Sequence, residues 1–133
     1  MELVFVDTSG IAAAMNAKDR HHEAAKQIFL RLAEEQCVLV VTNYVRAETH
    51  GLLVQRAGRE VALRFLEDGS WAVERVEPED EERALQILRQ YRDKDFSFTD
   101  ATSFAVMERL GITQAVSFDR HFRQYGWRVL EPA

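Results

Sequence analysis

Four acidic residues, Asp7, Glu48, Asp100 and Asp119, stand where carboxylates could gather at one place in a fold. Asp7 closes the apolar run Leu3-Val4-Phe5-Val6, and Asp119 follows the apolar stretch Ala115–Phe118. Glu48 lies three residues after Val45 and four before Leu52, so on a helix it shares a stripe with apolar neighbours. A glutamate is almost never fully buried without a partner. Asp100 precedes Phe104 and Met107 by four and seven residues and starts a second such stripe. Two unit charges roughly 4 Å apart repel by about 4 kcal/mol at an effective dielectric of about 20. Four carboxylates brought together would therefore stay partly protonated unless a cation joined them. All-oxygen ligands select a hard ion, Mg²⁺ or Mn²⁺, which keeps several of its waters. Such ions suit in-line attack of water on a phosphodiester, and no Ser-His-Asp set is then required. Each acid also has a plainer role open to it. Asp7 and Asp119 could be helix N-caps, and Asp100 the far member of a capping box with Ser97.

The elements that must position these acids alternate between buried strands and amphipathic helices. A strand over 3–6 leads into a helix of about 9–16 capped from Asp7-Thr8-Ser9. Ala25, Ile28, Phe29 and Leu32 give a helix of about 20–35 its apolar face. Residues 37–41 read as the second strand. Thr42 or Asn43 then caps a helix of 43–56, and Gly58 separates it from another over 59–67. Trp71 to Val76 is the third strand. Pro78 opens a helix that runs to Tyr91, and Glu79, Asp80, Glu81 and Glu82 complement the dipole of its first turn. After a loop, 92–97, comes a helix of 98–110 ended by Gly111. A strand at 115–118, a short helix at 119–125 and a strand at 127–130 complete the order. Uninterrupted apolar strands joined by helices predict an α/β domain with a parallel sheet covered on both faces. With strand order 3-2-1-4-5, strands 1 and 4 are neighbours at the switch point, where such sheets bind ligands. Asp7 and Asp119 then lie side by side there. The helices bearing Glu48 and Asp100 begin at the same edge.

The chain of 133 residues reads as one domain, 1–133, with 47% hydrophobic residues for its core. One cysteine, Cys37, excludes an intrachain disulfide and a multi-cysteine zinc cluster, and it reads as an inert residue at the start of a buried strand. The apolar runs are too short to span a bilayer, and the start shows no secretory signal pattern, so the expected setting is cytoplasmic. The net charge of −5 argues against coating nucleic acid by bulk charge. Fourteen of the 17 basic residues are Arg, which reflects either bidentate phosphate pairing or genomic base composition.

Asp7-Thr8-Ser9 after the first strand, Glu48 in Val45-Arg46-Ala47-Glu48-Thr49, and Asp95-Phe96-Ser97-Phe98-Thr99-Asp100-Ala101 together resemble the PIN domain. So does Ser117-Phe118-Asp119-Arg120-His121-Phe122. The resemblance spans the chain in order, and proteins of this size in the family are mostly VapC-like toxins of toxin–antitoxin pairs. It implies a three-layer α/β/α fold and a Mg²⁺- or Mn²⁺-dependent endoribonuclease. Asp7, Glu48, Asp100 and Asp119 would hold the metal, with help from hydroxyls at Thr8, Ser9 and Thr99 or Ser97. It also implies a homodimer and a small VapB-like antitoxin that blocks the pocket. Asp95 reads as a loop residue or a water-mediated ligand. His21, His22, His50 and His121 lack metal-ligand spacing and read as surface or capping residues, with His121 the one placed to touch RNA. Arg120, Arg123 and Lys18 fall near loops at the active edge, as phosphate contacts or solvated charges. Other classes fit less well. No G-x-G-x-x-G or Walker loop occurs. A receiver-like signalling domain would need an acid after the third strand, where the chain reads Arg75-Val76-Glu77-Pro78, and a suitably placed lysine. A PIN ribonuclease without an antitoxin remains a second reading.

Overall fold

The computed structural model describes residues 1–132. Their elements are β1 (Leu3–Val6), α1 (Thr8–Met15), α2 (His22–Glu34), β2 (Val38–Thr42), α3 (Asn43–Ala57), α4 (Arg59–Glu67) and β3 (Ala72–Glu74). Then follow α5 (Pro78–Gln90), α6 (Phe98–Leu110), β4 (Gln114–Val116), α7 (His121–Tyr125) and β5 (Arg128–Val129). All strand pairs are parallel and their order is β3-β2-β1-β4-β5, as the sequence predicts. Successive strand residues face opposite sides of a sheet. Because Val4, Phe5 and Val6 are all fully buried, helices must cover both sides of β1, which makes the three layers.

Two features of the sequence bring the helices to the sheet's carboxyl edge. Gly10 lies where α1 crosses β4, and a Cβ there would sit 2.7 Å from the Val116 carbonyl oxygen. Only a glycine lets the first turn of α1 approach that strand so closely. On the other side, Phe104 of α6 packs edge-on against Phe122 of α7 at 4.9 Å, and Phe122 stacks on Phe5 of β1 at 5.9 Å. All three rings are fully buried, and burial of one such side chain contributes about 1.5–3 kcal/mol. This aromatic line fixes α6 and α7 against the central strand. At the far end of α6, Gly111 takes a left-handed conformation with φ +70° and stops the helix.

Several expected boundaries move. The third strand covers only 72–74 instead of 71–76, and it is largely exposed because it is an edge strand. The fourth strand ends at Val116, beyond which the Phe118 N–H bonds the Ser9 hydroxyl, and the fifth spans only Arg128 and Val129. The second helix starts at His22, after a turn in which Asn16 and Asp19 side chains accept backbone N–H groups. Cys37 lies one residue before β2 and is half-buried. Asp80, expected only to complement a helix dipole, is a buried member of a capping box with Glu77. Both of its oxygens are bonded by Arg109, at 3.0 and 2.9 Å, tying α5 to α6.

Candidate active site

Asp7 is the first residue after β1, and its N–H bonds the Val116 carbonyl at 3.2 Å. The β1–β4 register then sets Asp7 beside Ser117. Asp7 Oδ1 accepts from the Gly10 N–H and the Ser9 hydroxyl, both at 2.8 Å, and Oδ2 accepts from the Ser117 hydroxyl at 2.6 Å. The N-cap role is therefore real, and it also orients the carboxylate. Ser9 in turn accepts from the Phe118 N–H at 2.8 Å, and Ser117 from the Asp119 N–H at 3.3 Å. Two serines thus lace the end of β1 to the end of β4.

The other three acids arrive from separate elements. Asp100 is the third residue of α6, where it closes a capping box with Ser97, and its second role is to face the site. Asp119 lies three residues past β4, and its Oδ1 accepts the His121 N–H at 2.9 Å. Glu48 departs from expectation, because it is exposed. The buried stripe of α3 is Val45, Thr49 and Leu53, and Glu48 stands about 100° round the helix from Thr49, on the rim. Its expected partner exists all the same: Thr8 Oγ1 donates to Glu48 Oε1 at 2.7 Å.

Asp7, Glu48, Asp100 and Asp119 line one cavity of about 20 Å³, together with Thr8, Val45, Thr99 and Ser103. That volume holds about one water-sized particle. Asp7 is only 4% exposed. Burial first, and the Asp119 charge second, push its carboxyl from the ordinary 3.8 up to about 7, against its three hydrogen bonds. Burial also raises Asp100, with Asp119 adding to the rise, while the Ser97 N–H and His121 oppose it. Such a set is short of positive charge.

His121 lies against two of these acids and corrects the surface reading. Its Nδ1 lies 2.9 Å from Asp100 Oδ2 and 3.9 Å from Asp119 Oδ1, and its ring meets the edge of Phe96 at 5.7 Å. One ligand atom from each of Asp100, Asp119 and His121 falls within 4.8 Å of the others. Sequence reading missed this because α7 turns the ring inward against Phe96. Ser117 was also missed as a site residue, although its place two residues before Asp119 and beside Asp7 in register was available once the strands were paired.

Other candidates lie outside. Arg123 pairs with Glu131 at 3.1 Å, away from the cavity. Arg120 is exposed and 3.9 Å from Asp95, which is itself exposed, in keeping with a loop role for Asp95. A larger cleft, about 390 Å³, opens at the other end of the sheet by Glu2, Gln114 and Arg128, where acids and bases mix and no carboxylate cluster forms.

The family model of the PIN domain matches residues 4–128. The chain is 38% identical to the 23S rRNA-specific endonuclease VapC20 of Mycobacterium tuberculosis, over 98% of this chain and 99% of that protein. The crystal structure of VapC20, described as a toxin that cleaves the sarcin-ricin loop, superposes with a TM-score of 0.87 at 37% identity, covering 97% of this chain and 99% of the other. VapBC2 of Rickettsia felis, solved with a fragment of its promoter DNA, shares the fold at a TM-score of 0.73 and 12% identity, over 96% and 97% of the chains. These matches exclude the receiver-like alternative. The chain belongs to the PIN-domain family, among its VapC-like endoribonucleases.

Proposed function

We propose that residues 1–133 act as a single PIN domain that cleaves RNA with one or two Mg²⁺ or Mn²⁺ ions held by Asp7, Glu48, Asp100 and Asp119. The observation that carries this reading is the convergence of these four acids on one cavity at the sheet's switch point. The donor set fits a hard divalent ion, being carboxylates flanked by hydroxyls, and a doubly positive charge relieves the buried Asp7. When bound, such an ion supplies a Lewis acid for phosphoryl oxygens and activates the attacking water. The protein's own contribution is orientation. Ser9, Ser117 and the Gly10 N–H aim Asp7, Thr8 aims Glu48, the Ser97 N–H aims Asp100, and the His121 N–H aims Asp119. Thr99 and Ser103 complete the wall, and in this reading His121, beside Asp100, and the exposed Arg120 contact the RNA.

The substrate in this reading is ribosomal RNA, on the strength of the named activity of VapC20. A VapB-like antitoxin, a homodimer and a cytoplasmic setting belong to the same reading. No helix among the described residues is long and apolar enough to cross a membrane. The test is incubation of the purified chain with ribosomes and free 23S rRNA in Mg²⁺, Mn²⁺ or EDTA, beside Asp7→Asn and Asp100→Asn. Discrete cleavage by wild type alone, lost in EDTA, is expected. Equal products from all three proteins would defeat the proposal.

A further inference from the structure

A second concavity, of about 650 Å³, opens beside the acidic cavity and shares Thr8, Glu48 and Asp119 with it. Its far wall is the turn between α1 and α2 together with the outer face of α3. There Lys18, Arg20 and Arg56 are all exposed. Among the described residues none of the three has an acidic partner within salt-bridge distance, whereas Arg83, Arg109 and Arg123 are each paired. Three cations without an acidic partner line this one groove, and they are placed to hold an anion.

The groove also has an aromatic wall. The rings of His21 and Phe118 stack with centroids 4.7 Å apart and planes 11° from parallel. Asp19 fixes the turn by accepting the His21 N–H at 2.8 Å, and Arg20 Nε donates to His21 Nε2 at 3.2 Å. Phe118 is held by the bond from its N–H to Ser9, so the platform is tied to the residue that aims Asp7. A flat platform beside free cations is the arrangement that single-stranded nucleic acid takes, base on ring and phosphate on cation.

We propose that this groove is a single-stranded RNA subsite for the nucleotide next to the cleaved phosphodiester. Its phosphate rests on Lys18, Arg20 and Arg56, and its base on the His21–Phe118 stack. The proposal rests on the nuclease reading for its register, since the strand reaches the groove from over the acids. It requires that nucleotide to be unpaired, because a base held in a duplex cannot lie on the platform.

The test measures binding apart from cleavage. A fluorescein-labelled single-stranded RNA of about 12 nucleotides, within the site size of single-strand-binding folds, is titrated by polarisation against Asp7→Asn protein, which leaves the RNA intact. Adding Lys18→Ala and Arg56→Ala is expected to raise Kd about ten-fold and to lower the slope of log Kd against log salt by about 1.4, for two phosphate contacts. Adding His21→Ala is expected to raise Kd about five-fold or more with the slope unchanged. Arg31→Ala with Arg128→Ala, at the other end of the sheet, removes the same charge and is expected to leave Kd alone. Equal losses from both arginine-containing pairs would reduce the effect to bulk charge and overturn the subsite, as would no loss from either. Cleavage by the wild-type chain is read separately, so a protein that binds through the groove but cuts nothing refutes the nuclease reading alone.

Discussion

Replacing Asp7 by Asn should make the metal-free protein more stable, and increasingly so as the pH rises. Asp7 is buried beside Asp119, and its carboxyl is pushed to about 7 from an ordinary 3.8. The unfolded chain ionises this group near 3.8, while the folded chain resists until about 7. Below both values the two states bind the same proton and no penalty exists. Between them the unfolded state gains from ionisation and the folded state does not, so stability falls as pH rises, and it levels off above 7. At 1.36 kcal/mol per pH unit the full penalty is about 4 kcal/mol, and at pH 5 about 1.6 kcal/mol of it is already present. Asn cannot ionise and escapes all of it. Its Oδ1 can still accept from Gly10 and Ser9, and its Nδ2 can donate to the Ser117 hydroxyl.

For a domain of this size, 2–4 kcal/mol corresponds to a rise of about 7–14 °C in Tm. The assay is thermal unfolding in EDTA from pH 5 to 8.5, wild type against Asp7→Asn. The gap should widen with pH and then flatten. Mn²⁺ or Mg²⁺ should reverse the order, raising the wild-type Tm through binding to the folded state and leaving the variant nearly unmoved. A variant equal to or less stable than wild type at pH 8 in EDTA would refute the reasoning. It would mean that the carboxylate is not penalised there and that nothing in the cavity calls for a cation.

Ser117→Ala removes the 2.6 Å bond to Asp7 Oδ2, a bond to an ionised acceptor, and should cost about 1.5–3 kcal/mol above pH 7 by urea unfolding while lowering cleavage. Gly10→Ala drives a Cβ into the Val116 carbonyl and should destabilise by about 1–3 kcal/mol, with loss of cleavage as α1 and Asp7 shift from β4. Asp80→Ala leaves Arg109 without its main partner and should cost about 3 kcal/mol. Burial raises the Asp80 carboxyl, but the Arg109 and Glu77 hydrogen bonds outweigh it and hold it below the usual range. Its contribution is therefore present at neutral pH and lost as pH falls below the ordinary 3.8, which acid unfolding of wild type against variant will show.

How much of this was legible before the fold depends on which forces acted locally. The alternation of strands and helices followed from uninterrupted apolar runs and helix caps, since both are properties of short segments, whereas the sheet order 3-2-1-4-5 goes with the PIN resemblance and not with any local pattern. Thr42 capping α3 and the Ser97–Asp100 box are cases of the same kind. The ends of the edge strands β3 and β5 were not legible, because an edge strand ends where its pairing with its one neighbour ends, and β4, inside the sheet, ends where the Phe118 N–H turns to the Ser9 hydroxyl. Glu48 shows the limit of a periodic stripe. Val45 and Leu52 bracket it in sequence, but the buried line runs through Thr49, and a turn of about 100° separates rim from core. His121 shows another. Nothing adjacent to it in sequence says that its ring will meet Phe96 and Asp100, because that contact needs α6 and α7 to be packed together first.

The excess of arginine was ambiguous in composition, and geometry divides it. Arg83 serves Glu108, Arg109 serves Asp80 and Glu74, and Arg123 serves Glu131, so these cations are committed to holding helices and the chain's end in place. Arg56, with Lys18 and Arg20, lines the groove that leads into the acids, and among the described residues none of the three has an acidic partner within salt-bridge distance. Net charge of −5 therefore does not describe the surface that RNA would meet. Several of the negative charges are concentrated in a cavity that a divalent ion would neutralise, and free positive charge lies immediately beside it. The groove carries both kinds of charge, Lys18, Arg20 and Arg56 on one wall and Glu48 and Asp119 where it meets the acidic cavity, so a divalent ion held by the acids would leave the cations to attract a phosphodiester.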